Sequence, residues 1–269
     1  MRKIVFSFGI VLSSLLCAYG VAAGELSLPQ VTAAEHRSEA SRARDAQRHP
    51  VETLEFFGLT PAMTVVEILP GEGWYTEILA PYLAASGKLA VASHGTEGTN
   101  EYRRKSHEAL MAKLDANPAL YGAVDRRVMW QGDDVVLGPP GSADMVVTFR
   151  NTHGWINEGK LEAVYKACFN VLKSGGILGI EQHRAPAGAD LAQSAVKGYV
   201  PEAYLIGVLE GLGFKLAGKS EINANPRDTK DYPDGVWSLP PVLRLGDVDR
   251  DRYVAIGESD RMTLKFVKP

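Results

Sequence analysis

Two periods of apolar and polar positions alternate along this chain. Short runs rich in β-branched residues at 65–69, 88–93, 127–130, 144–149, 177–181, 214–220 and 262–267 are bounded by Gly, Pro, Asn or Asp and predict strands. Between them lie helical patterns. Pro50 opens one carrying Val51, Leu54 and Phe57, which ends near Gly58. Ile78, Leu79, Tyr82 and Leu83 share a face of a second, and a third over 99–116 points Leu110, Met111 and Leu114 inward before Asn117-Pro118 breaks it. A fourth over 157–172 carries the stripe Leu161, Val164, Cys168, Val171 and Leu172, with Lys173-Ser174-Gly175-Gly176 as its stop. The last, over 201–212, turns Leu205, Val208, Leu209 and Leu212 inward and ends at Gly213. Strands alternating with helices imply a doubly wound α/β fold, its parallel sheet covered on both faces.

Residues 24–62 read as a linker over 26–31 followed by helices, including a charge-dense one at 33–48, and 63–269 as the main domain. A Pro-, Asp- and Gly-rich segment at about 222–259 exceeds ordinary loop length and is expected to be a flap or docking surface. At the N-terminus, Arg2 and Lys3, an apolar run over 4–18 and Val21-Ala22-Ala23 form a signal peptide, with cleavage expected after Ala23 and export to the periplasm or beyond. The apolar run is too short for a comfortable membrane span, so no stable span is expected after cleavage.

The chain has 269 residues, 45% of them hydrophobic and 23% charged, with a net charge of −3, about −5 without the leader cations. No basic surplus points to nucleic acid. Cys17 and Cys168 are the two cysteines; with the leader removed no internal disulfide is expected, and the helical spacing of Cys168 makes it a core residue.

The centre of the pattern is Val65-Val66-Glu67-Ile68-Leu69-Pro70-Gly71-Glu72-Gly73-Trp74-Tyr75-Thr76-Glu77: a strand, a glycine turn, then a helix. Such a junction aims backbone N–H groups at an anionic ligand. Ser93-His94, Asp133-Asp134, Asn151-Thr152-His153 and Glu181-Gln182-His183 also follow predicted strands. In a doubly wound sheet they gather on one rim, where ligands bind.

These pieces resemble the class I S-adenosylmethionine-dependent methyltransferases. The resemblance rests on the glycine motif, Gly132-Asp133, the strand Asp144-Met145-Val146-Val147 and the turn Leu172-Lys173-Ser174-Gly175-Gly176. Gly71-Glu72-Gly73-Trp74-Tyr75-Thr76-Glu77, Phe149-Arg150-Asn151-Thr152-His153 and Asn225-Pro226-Arg227-Asp228-Thr229 resemble more narrowly a group of exported bacterial "predicted methyltransferases". The resemblance implies a Rossmann-like, seven-stranded, mostly parallel sheet whose last strand is antiparallel, with S-adenosylmethionine as cofactor. It implies that Gly71 and Gly73 approach the methionine part, that Glu67 orients the ammonium and that Asp133, with Asp134 beside it, receives the adenine amino group. Two positions depart from the pattern. Leu69 stands where the first glycine is usual, and Ser93-His94 stand where an acidic side chain usually holds ribose, unless Glu97 reaches back.

Methyl transfer needs an in-line nucleophile and at most one general base. His153 is the first candidate for the base, with Asn151 orienting acceptor or donor, or both simply capping the next turn. His183, partnered by Glu181, is the second. No Cys/His spacing supports a metal. The expected function is methyl transfer to a small-molecule acceptor; the alternative is an exported binding protein that keeps the fold without turnover. A nicotinamide dehydrogenase ranks below both, because the third glycine of its motif is missing.

Overall fold

The computed structural model describes residues 25–269; the leader, its cleavage site and Cys17 lie outside them. The first helix occupies Leu28–Ala33, overlapping the stretch at 26–31 expected to be a linker. Ser27 and Gln30 cap each other's backbone N–H groups, and this capping box with Pro29 in the first turn outweighs the polar composition. The expected helix over 33–48 is instead two single turns, Glu39–Arg42 and Asp45–Arg48. Ser38 caps the first, and buried Arg37 bonds to the Thr32 carbonyl and to Asp45, folding the segment back on itself.

The main elements follow in order: α1 (Pro50–Phe57), β1 (Thr64–Ile68), α2 (Thr76–Leu83), β2 (Lys88–Ser93), α3 (Glu101–Ala116), β3 (Asp125–Val128), β4 (Ala143–Phe149), α4 (Thr152–Asn157), α5 (Leu161–Val171), β5 (Leu172–His183), α6 (Glu202–Gly211), β6 (Lys215–Ser220), α7 (Arg250–Ile256) and β7 (Arg261–Val267). The seven strands lie in the order β3-β2-β1-β4-β5-β7-β6, all parallel except β7, which runs antiparallel to both neighbours. After β3 the chain crosses to the other side of β1, so the order reverses between β1 and β4.

Period-two alternation sends successive side chains of β1 into opposite layers. Val66 and Ile68 pack with Trp155, Tyr165, Cys168 and Leu205, whereas Val65 packs with Leu54, Ile78 and Leu110. Glu67 lies on the second face. Cys168 is fully buried, as its stripe predicts.

Three boundaries differ from the sequence pattern. Trp130–Gln131 leaves the third strand to pair with Asp134–Val135 around Gly132, whose φ is 65°. The helix expected over 157–172 begins only at Leu161, as α5; a separate short helix, α4, precedes it and ends before Gly159, also at φ 65°. Residues 173–176 turn as expected, but inside β5: Leu172 pairs with Ala143, then the register shifts so that Ile177 pairs with Met145.

The segment at 222–259 carries a 3₁₀ turn, Gly235–Ser238, and α7, with Tyr232, Leu239 and Tyr253 as its own small core. Asn225 donates to the Ile256 and Glu258 carbonyls. Asp228 is buried and accepts from the Tyr199 hydroxyl at 3.1 Å and the Asp260 N–H at 2.8 Å. These bonds fasten the segment to the start of β7. Among the described residues no helix is long and apolar enough to cross a membrane.

Candidate functional site

A cavity of about 510 Å³ opens beyond the carboxyl ends of β1, β4 and β5. Glu67, the penultimate residue of β1, is 1% exposed and accepts from Thr76 Oγ1 at 2.6 Å through Oε2. Its Oε1 has no hydrogen-bond partner among the described residues, and the side chain lines the cavity. Burial pushes its carboxyl up to about 7, against the opposing pull of the Thr76 bond, Lys113 and Arg150.

Leu69, Gly71 and Gly73 have φ values of 47°, 62° and 83°. The loop therefore holds left-handed geometry at the position where leucine replaces the usual glycine, a strain of about 1–2 kcal/mol. A Cβ on Gly73 would lie 2.9 Å from Leu110 Cδ1, so this glycine lets α3 approach the loop. Nothing lies within 4 Å of a Cβ built on Gly71, which lines the cavity and leaves the backbone open to a ligand.

Asn151 makes no side-chain cap. Its Nδ2 donates to the Ile68 carbonyl at 3.1 Å, the Leu69 carbonyl at 3.3 Å and Thr148 Oγ1 at 3.1 Å. It is thus a brace for the glycine loop that also lines the cavity.

His153 and His183 face each other across 5.8 Å, and Trp237 from the 222–259 segment stands edge-on to His153 at 5.7 Å. Gln182 accepts from the Thr152 N–H at 3.1 Å and donates to the Gly198 carbonyl at 3.0 Å, which fixes its amide so that Nε2 can donate to His153 Nδ1 at 3.4 Å. The neutral His153 ring then carries its proton on Nε2. Burial lowers its pKa to about 4. His183 Nδ1 lies 2.5 Å from Ser259 Oγ, and burial together with His153 and nearby arginines holds this ring neutral too.

Charged side chains layer the cavity wall over β4, β5 and β7. Glu181, fully buried, meets Arg150 at 2.9 Å and Arg261 at 3.2 Å and accepts from the Tyr75 hydroxyl, leaving no close pairing with His183. Glu258 meets Arg44 at 2.8 Å, Arg48 at 3.0 Å and Arg261 at 3.0 Å. Burial opposes both negative charges, but the arginines win, and Glu258 falls to about 2. Arg150 and Glu258 lie outside the sequence-predicted candidates, whereas Arg48 belongs to the charge run before Pro50, a solvated helix face by composition or a closure over a cofactor carboxylate. A signal for this layer existed in charged residues set directly against apolar strand runs, Phe149-Arg150, Ile180-Glu181 and Arg261-Met262.

The remaining candidates are dispersed. Trp130 Nε1 donates to His94 Nδ1 at 3.1 Å, and burial, Arg103 and His107 lower the His94 pKa to about 4. His94 and Arg103 line both the main cavity and an adjoining one of about 580 Å³, which also touches Glu97, Gly132 and Asp133. Asp133 is solvent-exposed and pairs with Lys160 at 3.2 Å. Ser93 Oγ lies 2.8 Å from His107 Nδ1 in a crevice of about 70 Å³. Gly73 and the exposed Asp134 line none of these three cavities. No group of three His, Cys, Asp or Glu side chains among the described residues is arranged to hold a metal ion.

No protein-family model and no curated protein sequence matches the chain. Solved structures do. A SAM-dependent methyltransferase from Aquifex aeolicus is 14% identical, with 84% of this chain and 93% of that one covered at a TM-score of 0.56. The [4+2]-cyclase SpnF is 16% identical, over 87% and 85% of the two chains, at 0.60. The chain has the Rossmann-like fold of class I methyltransferases. A geranyl diphosphate methyltransferase solved with SAM shares that fold at 11% identity, 89% and 94% coverage and a TM-score of 0.52. The presence of a cyclase among these structures separates fold from reaction.

Proposed function

We propose that this protein is an S-adenosylmethionine-dependent methyltransferase acting on a small molecule and belonging to the exported group its motifs resemble. The observation that carries the reading is Glu67: a buried carboxylate with one oxygen unbonded, beside the open backbone of Gly71. That pair fits the ammonium and carboxylate of a free amino-acid moiety, since the ammonium meets the need that burial imposes on Glu67. The nucleoside end fits the trough shared by the two cavities, with His94, Glu97 and Asp133 as its polar groups.

When bound, the cofactor supplies a methyl group on a sulfonium centre. The chain's own residues position what meets it. Two neutral imidazoles, His153 and His183, place no positive charge beside a sulfonium. With Nδ1 committed to Gln182, His153 offers Nε2–H as a donor that orients an acceptor oxygen or nitrogen, a role its geometry favours over that of base. Val236 and Trp237 add an apolar wall to the site. The leader sequence supports activity in the periplasm or outside the cell, with cofactor supplied from the cytoplasm.

Calorimetric titration of the mature protein with S-adenosylmethionine and S-adenosylhomocysteine tests the reading: saturable binding of both is expected, and no binding at millimolar ligand overturns it. The second reading, an exported binding protein without turnover, draws support from Leu69 and from Ser93, whose hydroxyl is engaged by His107 where ribose would be held. It predicts ligand binding with no methyl transfer to any acceptor.

A further inference from the structure

The charge layer along the cavity is unbalanced. Arg44, Arg48, Arg150 and Arg261 converge on Glu181 and Glu258, four cations on two anions, so two positive charges are left over. The surplus has a direction. Arg48 is 4% exposed and its Nε is taken by Glu258, but neither of its terminal nitrogens has a partner among the described residues. Its guanidinium lies 4.7 Å over the Trp74 ring and lines the cavity. Arg150 spends Nη1 on Glu181 and keeps Nε and Nη2 unpartnered against the same cavity. Guanidinium donors that face a cavity without protein acceptors are placed to receive an oxyanion there. Burial and the neighbouring Arg150 lower the Arg48 pKa to about 9, the mark of an under-neutralised cation.

Resting on the methyltransferase reading, we infer that the methyl acceptor is an acidic small molecule whose carboxylate or phosphate oxyanion is held by Arg48 and Arg150. Geometry favours the acceptor over the cofactor's own carboxylate as the source of that anion. Glu67 lies on β1 and Gly71 in the loop after it, whereas Arg150, which follows β4, is drawn to Glu181 on β5, and Arg48 to Glu258, which directly precedes β7. The carboxylates that hold the two guanidiniums thus lie about two and three strands across the sheet from β1, on the side of His183. His153, His183 and Trp237 line the same cavity, so a molecule anchored by the arginines lies beside the residues that would orient its reactive atom.

The test is a fluorescence titration with inorganic phosphate and with malonate, reading Trp74 beneath Arg48, alone and with saturating S-adenosylhomocysteine. Saturable binding of at least one anion is expected, unchanged by S-adenosylhomocysteine and weakened at least tenfold in both Arg48→Gln and Arg150→Gln. Arg48→Lys, which keeps the charge and loses the fork, is expected to fall between; thermal melts confirm that each variant is folded, and the wild-type competition decides the source without any variant. Binding of S-adenosylhomocysteine with no anion binding overturns the acidic-acceptor inference and leaves the methyltransferase reading intact. Anion binding without S-adenosylhomocysteine binding removes the methyltransferase reading and with it the assignment to an acceptor. Competition between the two, with Arg48→Gln weakening S-adenosylhomocysteine but not 5′-methylthioadenosine, which lacks the amino-acid part, assigns the arginines to the cofactor and overturns the inference.

Discussion

If Glu67 receives the cofactor's ammonium, its ionisation must set cofactor affinity near neutral pH. In the free protein its carboxyl titrates at about 7, and the groups facing it are Thr76, Lys113 and Arg150. An ammonium is attracted to the ionised form, so binding draws the proton off and affinity falls about tenfold for each pH unit below 7. Between pH 7.5 and 5.5 the dissociation constant of S-adenosylhomocysteine should rise about 25-fold, roughly 2 kcal/mol, by the same linkage. Glu67→Gln keeps an acceptor for Thr76 and cannot ionise, so its weaker binding should be nearly flat over that range. Stability runs the other way. The folded carboxyl is raised above its unfolded value near 4.5; the cost is absent below 4.5, grows from 4.5 to 7 and is complete above 7, at about 3 kcal/mol. Glu67→Gln should therefore raise the ligand-free unfolding free energy at pH 8 by up to that amount and change it little at pH 4.5. Calorimetry for affinity and urea melts for stability check both limbs. A wild-type affinity that is flat from pH 5.5 to 7.5, or a Gln variant with the same slope, would refute the assignment.

Three further outcomes follow from the site. Leu69→Gly trades strain relief against lost packing and should change stability by less than about 1 kcal/mol, whereas Leu69→Val, β-branched at φ 47°, should lose about 2 kcal/mol in denaturant melts. His153→Ala should slow turnover far more than it weakens S-adenosylhomocysteine binding in single-turnover and equilibrium measurements; equal loss of both would assign His153 to cofactor binding. Glu258 has its carboxyl held at about 2, so its contribution is present above pH 4.5 and lost as pH falls toward 2; removing it with Glu258→Ala should cost about 3–5 kcal/mol at pH 7 in urea melts by stranding Arg44, Arg48 and Arg261.

Much of this architecture was legible in the sequence because the central strands are buried on both faces and announce themselves as apolar runs. Glycines and prolines marked most ends correctly. What escaped were effects that one residue exerts at a distance. Gly159 delays the helix read over 157–172 until Leu161, where its apolar stripe begins, and the Ser27–Gln30 cap makes a helix from a segment with little hydrophobic pattern. The site was partly legible. Strand-end residues Glu67, His94, Asn151, His153 and His183 do gather round one cavity. Asp133 faces a neighbouring one, since Gly132 turns the short ribbon outward. Arg48 and Glu258, 210 positions apart, meet only because α1 and the 222–259 segment pack over the same end of the sheet. No local spacing could encode that meeting.

The Asn151 side chain gives the sheet a mechanical property. The β1–β4 ladder ends at Ile68 and Thr148, the line along which the two halves of the wound sheet join. One amide there grips both last carbonyls of the β1 side and the Thr148 hydroxyl of the other. A seam stitched across its open end resists hinging. Any widening of the cavity then falls to parts outside the sheet, the 222–259 segment with Trp237 among them.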